Sequence, residues 1–187
     1  MRLILRDDSH ISSNRMSNNG SAANGHWVRT ALSRYEGQLT RYAQRITGDL
    51  DIARDVVQET FLRLCREQPA ELDGHLAEWL FTVCRNKAID VRRRESRMTS
   101  LAETVVSETP DQQPEPAAMA EHNDSAGRAQ HLVGNLPENQ REVIRLKFQD
   151  GLSYRKIAAV TGLSVSNVEF LIHRGVKTLR EQMVSDV

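Results

Sequence analysis

Over about 28–97 and 133–183 the apolar residues return every three or four positions, the period of a helix that buries one side. The strict alternation expected of half-buried strands is missing. A first helix is predicted over about 28–47, with Leu32, Tyr35, Leu39, Tyr42, Ala43 and Ile46 on one face and Gly48 ending it. Asp49 or Asp51 is positioned to cap a second helix that runs to about Glu67 and stops before Pro69. Its stripe is Ala53, Val56, Val57, Thr60 and Leu64. A third starts near His75 and reaches Arg94 or beyond, with Ala77, Leu80, Phe81, Cys84, Ala88 and Val91 facing one way. Three amphipathic helices of this length can enclose one small core.

The last fifty residues repeat the period in shorter pieces. Val143, Ile144, Leu146 and Phe148 form one stripe, and Gly151 breaks that helix. Ser153 can cap the next, which buries Ile157 and Ala158. Gly162 supplies a tight turn with Leu163 plugging the space beneath it. Ser164 or Ser166 caps a final helix with Val168, Leu171, Ile172, Gly175 and Leu179 on its apolar side. Ala158 and Gly175 are small, as a close helix crossing requires. Two helices crossing over so short a turn are the unit that lays its second helix in a DNA major groove. A plain helical hairpin in an all-α core is the alternative reading of the same pattern.

Composition changes this picture in two places. The formal net charge is zero, but the charge is unevenly spread. Arg85, Lys87, Arg92, Arg93, Arg94 and Arg97 crowd the end of the third helix, whereas residues 100–127 hold no Lys or Arg and carry Glu103, Glu108, Asp111, Glu115, Glu121 and Asp124. The acidic stretch also holds Pro110, Pro114 and Pro116, which mark a linker at 98–133, part of it around 117–133 open to helix formation. Residues 1–25 are Ser/Asn-rich and aperiodic, and are expected to form a disordered tail. The predicted protein is therefore all-α. A three- to four-helix N-terminal domain at 26–97 is joined by a flexible linker to a C-terminal helix-turn-helix domain at 134–187. The two cysteines, Cys65 and Cys84, lack metal-binding spacing and are expected to be buried or semi-buried free thiols. Leu3-Ile4-Leu5 is too short for a signal-peptide core or a membrane span, so a cytoplasmic location without membrane insertion is expected.

Two helices carry a second face. On the second helix Asp55, Gln58, Glu59 and Leu62 fall together, away from the core stripe. An exposed Leu among carboxylates and an amide suits a basic or amphipathic partner helix; an ordinary solvated face with one stray Leu has the same pattern. On the third helix Trp79, Val83, Asn86, Asp90 and Arg93 lie opposite the core. Trp79 offers a stacking surface, Asn86 a base-edge donor and acceptor, and Lys87 with Arg92, Arg93 and Arg94 charge for phosphates, a combination that holds single-stranded nucleic acid. Packing of Trp79 and Val83 on the first helix or a loop is the competing explanation.

The segment from Asp51 to Phe61, DIARDVVQETF, resembles the polymerase-binding motif of bacterial sigma factors. His75 to Arg94, HLAEWLFTVCRNKAIDVRRR, resembles the promoter-melting and −10-reading helix that follows it, and Leu136-Pro137 onward resembles the −35-reading domain, with Gly-Leu-Ser-Tyr and Lys-Ile-Ala marks. The order and spacing of the three identify the chain as similar to the small two-domain extracytoplasmic-function (group IV) sigma factors. The resemblance implies that Asp55, Gln58, Glu59 and Leu62 dock on core RNA polymerase. It implies that Trp79, Asn86, Lys87, Asp90, Arg92, Arg93 and Arg94 engage the opened −10 strand, with the loop 69–74 pocketing a flipped base. It further assigns the −35 contacts to Tyr154, Arg155, Ser164, Ser166, Asn167, Phe170, His173, Arg174 and Lys177. Many family members have Lys and Arg in the middle of the last helix, where this chain has Glu169, Phe170 and Leu171. Core polymerase and promoter DNA are the implied partners, and an anti-sigma factor is a further candidate.

No nucleophile–base pair, metal set or Gly-rich phosphate loop stands out, so neither catalysis nor a cofactor is expected. A stand-alone dimeric helix-turn-helix regulator is the alternative function; it explains the C-terminal domain and leaves the second faces of helices two and three unused. A helical enzyme built on Cys65, His75 and Cys84 is the weakest of the three readings.

Overall fold

The computed structural model describes residues 12–103 and 124–185. Among them are seven α-helices: α1 (Ser12–Thr47), α2 (Leu50–Leu64), α3 (Leu76–Glu103), α4 (Asp124–Gly134), α5 (Glu138–Phe148), α6 (Tyr154–Thr161) and α7 (Val165–Ser185). A 3₁₀ turn, Pro69–Leu72, lies between α2 and α3. The chain divides into two compact units, one ending at Val91 and the other beginning at Arg92.

The first core is built on α1, α2 and α3. Asp49 caps α2, its carboxylate accepting from the Asp51 and Ile52 N–H groups, each at 2.8 Å. That satisfies two of the amides a helix start leaves unpaired. Ala53, Val56, Val57, Thr60, Phe61 and Leu64 are then buried, as the stripe predicts with Phe61 added. From α3 come Leu80, Phe81, Cys84 and Ala88, and from α1 Leu39, Tyr42 and Ala43. The Tyr42 and Phe81 rings meet at 5.3 Å with a 58° tilt, a favoured aromatic geometry. Each fully buried Leu or Phe here contributes about 1.5–3 kcal/mol. The stripe predicted for α1 holds only in its second half. Leu32 is 36% exposed, and Ala31 takes the buried position beside it.

The second core joins α4, α5, α6 and α7, with α7 packed on all three others. Leu136, Val143, Ile144, Leu146, Leu152, Ile157, Val160, Val168 and Ile172 are buried. Ser153 caps α6, its hydroxyl accepting from the Lys156 N–H at 3.3 Å. Gly162 ends α6 at φ +75 and donates its N–H to Ala158 O at 2.9 Å. Ser164, rather than Ser166, caps α7, its hydroxyl accepting from Asn167 N–H at 3.2 Å. Only Gly162, Leu163 and Ser164 separate α6 from α7, the short connection of a helix-turn-helix.

Three expectations are corrected. The residues of the expected tail from Ser12 onward are helical and extend α1, while residues 1–11 lie outside the described ones. The segment has no apolar stripe to signal a helix, yet no proline interrupts it, and adding turns to an existing helix avoids the nucleation cost. The linker expected to begin at 98 is still helical there, since α3 continues to Glu103, whereas the helix allowed for around 117–133 is present as α4 from Asp124, which packs on α5 and α7. Its middle, 104–123, lies outside the described residues. Phe148, placed on the core stripe by its spacing, is 63% exposed. The chain turns at Gly151 (φ +70), and Leu152 enters the core instead, its N–H bonded to Leu146 O at 2.9 Å.

Candidate polymerase and nucleic-acid interfaces

The core side of α2 leaves Asp55, Gln58, Glu59 and Leu62 exposed, Leu62 to 55%. With Arg63 and Arg66 these four residues line one concavity. A second groove runs along α1 and α2, where Leu32, Leu50 and Leu62 form an apolar wall above Phe61. The carboxylates and the exposed leucine thus share a single surface, as their helical spacing predicts. Of the two arginines, Arg63 stands one turn beyond Glu59 on α2, and Arg66 follows the end of the helix.

The second face of α3 is less uniform. Asn86 and Asp90 are exposed, one turn apart, and Arg92, Arg93 and Arg94 are exposed beyond them. Trp79 and Val83 are half-buried, so the indole presents only part of its surface. Lys87 departs furthest from its expected role. Its ammonium forms an ion pair with the Glu59 carboxylate of α2, the lysine side chain 27% exposed and the glutamate 49%. A residue assigned to DNA phosphates and a residue assigned to polymerase are therefore partners. Sequence gave no sign of this, because the pair joins two helices and its geometry depends on how they pack. The loop expected to pocket a base is the 3₁₀ turn with Leu72 buried beneath it and Gly74 at φ +74.

In the second unit Ser166, Asn167, Phe170, His173, Arg174 and Lys177 are all exposed on α7, and Ser164 stands exposed at its cap. At 100° per residue Ser166, Phe170, His173 and Lys177 fall within one arc of roughly 60°. Arg155 is exposed on the first turn of α6. Tyr154 beside it is half-buried, with the Lys147 ammonium 5.0 Å from its ring centroid, a cation–π contact. Phe148, Tyr154 and Phe170 line one concavity with His173, Arg174 and Lys177.

The cysteines do not converge. Cys84 is buried in the first core, its Sγ donating to Leu39 O at 3.9 Å. Burial pushes the thiol up to about 12, partly opposed by a hydrogen bond with Thr60. Cys65 is exposed, contrary to the expectation of a buried thiol, because it follows the last buried position of α2. His75 Nδ1 lies 2.9 Å from Asp73 O. Among the described residues no group of three or more His, Cys, Asp or Glu is arranged to hold a metal ion.

Residues 31–98 match the Sigma-70 region 2 family and residues 126–179 match Sigma-70, region 4. The chain is 34% identical over 166 residues to ECF RNA polymerase sigma factor SigL of Mycobacterium tuberculosis, covering 86% of this chain and 90% of that one. The chain belongs to the ECF sigma factors. It is also 30% identical over 154 residues to ECF RNA polymerase sigma factor SigE of Mycolicibacterium smegmatis, covering 81% of this chain and 60% of that one. Two solved structures share its fold. The sigma factor RpoE, in complex with the anti-sigma factor NepR from Bartonella quintana, gives a TM-score of 0.62 at 25% identity, over 85% of this chain and 98% of that one. CnrH, in complex with the cytosolic domain of CnrY, gives 0.57 at 26% identity, over 91% and 96%.

As an ECF sigma factor the protein directs promoter recognition in transcription initiation. Region 2 of this sigma factor contains the exposed faces of α2 and α3, and region 4 contains α4 to α7. The region 4 match starts at 126, which agrees with the packing of α4 on this unit. No helix among the described residues is long and apolar enough to cross a membrane.

Proposed function

We propose that the sigma factor acts without catalysis of its own, in the cytoplasm, by docking α2 on core RNA polymerase while α3 and α7 read the two promoter elements. The observation that carries this reading is the surface on which Leu62 stands 55% exposed among Asp55, Gln58 and Glu59. An isolated monomer gains nothing by exposing a large apolar side chain beside carboxylates; a partner helix with basic and apolar residues covers both. Asn86 and Asp90 serve the −10 strand, with Trp79 as a partial stacking surface and Arg92, Arg93 and Arg94 on phosphates. Lys87 acts indirectly, holding α3 to α2 through Glu59. Ser164, Ser166, Asn167, Phe170, His173, Arg174 and Lys177, with Tyr154 and Arg155 of α6, serve the −35 element. A stand-alone dimeric regulator would leave the 31–98 segment without a role.

Since RpoE was solved with the anti-sigma factor NepR and CnrH with the cytosolic domain of CnrY, we extend an anti-sigma partnership to this chain. The apolar groove of Leu32, Leu50 and Leu62 is the surface on which an anti-sigma factor would compete with polymerase.

The test is a pull-down with core polymerase followed by run-off transcription from a matched promoter. Asp55→Lys with Leu62→Asp is expected to reduce core binding at least tenfold with the helical circular dichroism intact. Unchanged core affinity in that variant would remove α2 from the interface.

A further inference from the structure

Resting on the reading of α7 as the −35 helix, we propose that Phe170 is a specificity-determining residue that reads the C5-methyl of a thymine in the −35 element. Phe170 is the sixth residue of α7, inside the first two turns, and is 57% exposed. The first two turns are the part of a recognition helix whose side chains contact base edges. Its exposure leaves the ring's face available for a ligand.

The surroundings favour DNA over an apolar protein partner. The first turn of α7 contains no acidic residue, so its amides keep the positive end of the helix, and Glu169, exposed beside Phe170, is the one carboxylate in the next turn. Around and beyond Phe170, His173, Arg174, Lys177 and Arg180 line the same concavity, with Glu181 drawn toward Lys177 at 3.8 Å. Arg174, Lys177 and Arg180, cations one to three turns further along the helix from an exposed apolar ring, match the layout of a duplex, where phosphates flank a base edge. Ser166 and Asn167, both exposed, supply hydrogen-bonding groups on the turn before the ring.

The chemistry then restricts the base. A phenyl ring neither donates nor accepts, so it cannot pair with the N7, O6 or amino groups that mark guanine, adenine and cytosine. In the major groove the apolar feature is the thymine methyl, and contact with it is the way an apolar side chain discriminates. Where Lys or Arg on this helix would select guanine, Phe170 selects thymine. Phe148 and Tyr154 line the same concavity.

The experiment uses the holoenzyme, the full chain with core polymerase. A −35 element is first selected from randomised duplexes, and each thymine in it is then replaced singly by uracil, which removes only the methyl. Wild type is expected to bind about fourfold more weakly at one such position, the loss associated with one buried methyl group. Phe170→Ala is expected to bind the thymine and uracil duplexes equally, and Phe170→Leu to retain part of the difference. The uracil scan on wild type establishes methyl sensitivity without any variant, and Phe170→Ala and Phe170→Leu, each checked for helical circular dichroism and core binding, attribute it to the ring. If a −35 preference is selected but no thymine is methyl-sensitive, or Phe170→Ala keeps the sensitivity, Phe170 does not read a methyl while α7 still reads DNA. If no −35 preference emerges from an otherwise active holoenzyme, the −35 reading of α7 falls, and this proposal with it.

Discussion

At the scale of single residues, the two cysteines separate cleanly. Cys65 is exposed and Cys84 is buried in the core. Alkylation of the native protein is therefore expected to label Cys65 first, and Cys84 only after unfolding; equal rates would contradict the burial. The Cys84 thiol is raised by burial to about 12, against an ordinary 9.0. Its folded form stays protonated where the unfolded form ionises, so its contribution to stability is complete below pH 9 and is lost as pH rises toward 12. The urea midpoint of wild type is expected to fall between pH 8 and pH 10 more steeply than that of Cys84→Ala. Parallel curves would count against this. Asn86 and Trp79 should also behave differently. Asn86 is exposed and can pair with a base edge, so Asn86→Ala is expected to lose about 1–3 kcal/mol of discrimination at one −10 position. Trp79 is half-buried, so Trp79→Ala is expected to weaken opening at every −10 variant and to lower the melting temperature as well. Permanganate reactivity of open complexes on single-base −10 variants measures both; equal, uniform weakening by the two variants would show the reading face to be misassigned.

Among the elements, the crossing of α5 and α7 is the tightest contact to test. A Cβ added at Gly175 would come within 2.4 Å of Ile144 Cδ1 and 3.6 Å of Gln140 Oε1. Both neighbours are buried, with Ile144 4% and Gln140 8% exposed. Gly175→Ala thus meets a packed wall, although alanine is the better helix former by about 1 kcal/mol. Overpacking of this kind costs about 1–3 kcal/mol, so a net loss of stability is expected in urea unfolding. Pairing the change with Ile144→Val, which removes the clashing Cδ1, is expected to restore part of it. A stabilised Gly175→Ala would mean that the crossing has room to spare.

For the molecule as a whole, the two units each contain their own core. Leu80 is fully buried in the first and Ile157 in the second. Leu80→Ala and Ile157→Ala are each expected to cost about 2–5 kcal/mol in the unit concerned. Hydrogen exchange should accelerate in α2 and α3 for the first, in α5 to α7 for the second, and the costs should add in the double variant to within about 0.5 kcal/mol. Acceleration across both units from either change alone would show that they fold as one.

The stripes of α2 and α3, the Ser153 cap of α6 and Gly162 in its left-handed conformation were readable from sequence, because each depends on a local period or a residue's own backbone preference, whereas the choice of Ser164 over Ser166 as the cap of α7 was not. The surface of Asp55, Gln58, Glu59 and Leu62 was readable for the same reason: helical geometry alone puts those side chains on one arc. Periodicity failed where tertiary packing chose between residues of similar character. Phe148 and Leu152 are both apolar and close in sequence, and only the turn at Gly151 decides that Leu152 is buried and Phe148 exposed. The Glu59–Lys87 pair likewise depends on the packing of α2 and α3, which no local pattern encodes. The sequence by itself determined which side chains share a helix face; the tertiary structure decided which of them stay exposed and which are buried or paired, because burial and pairing are properties of two helices together.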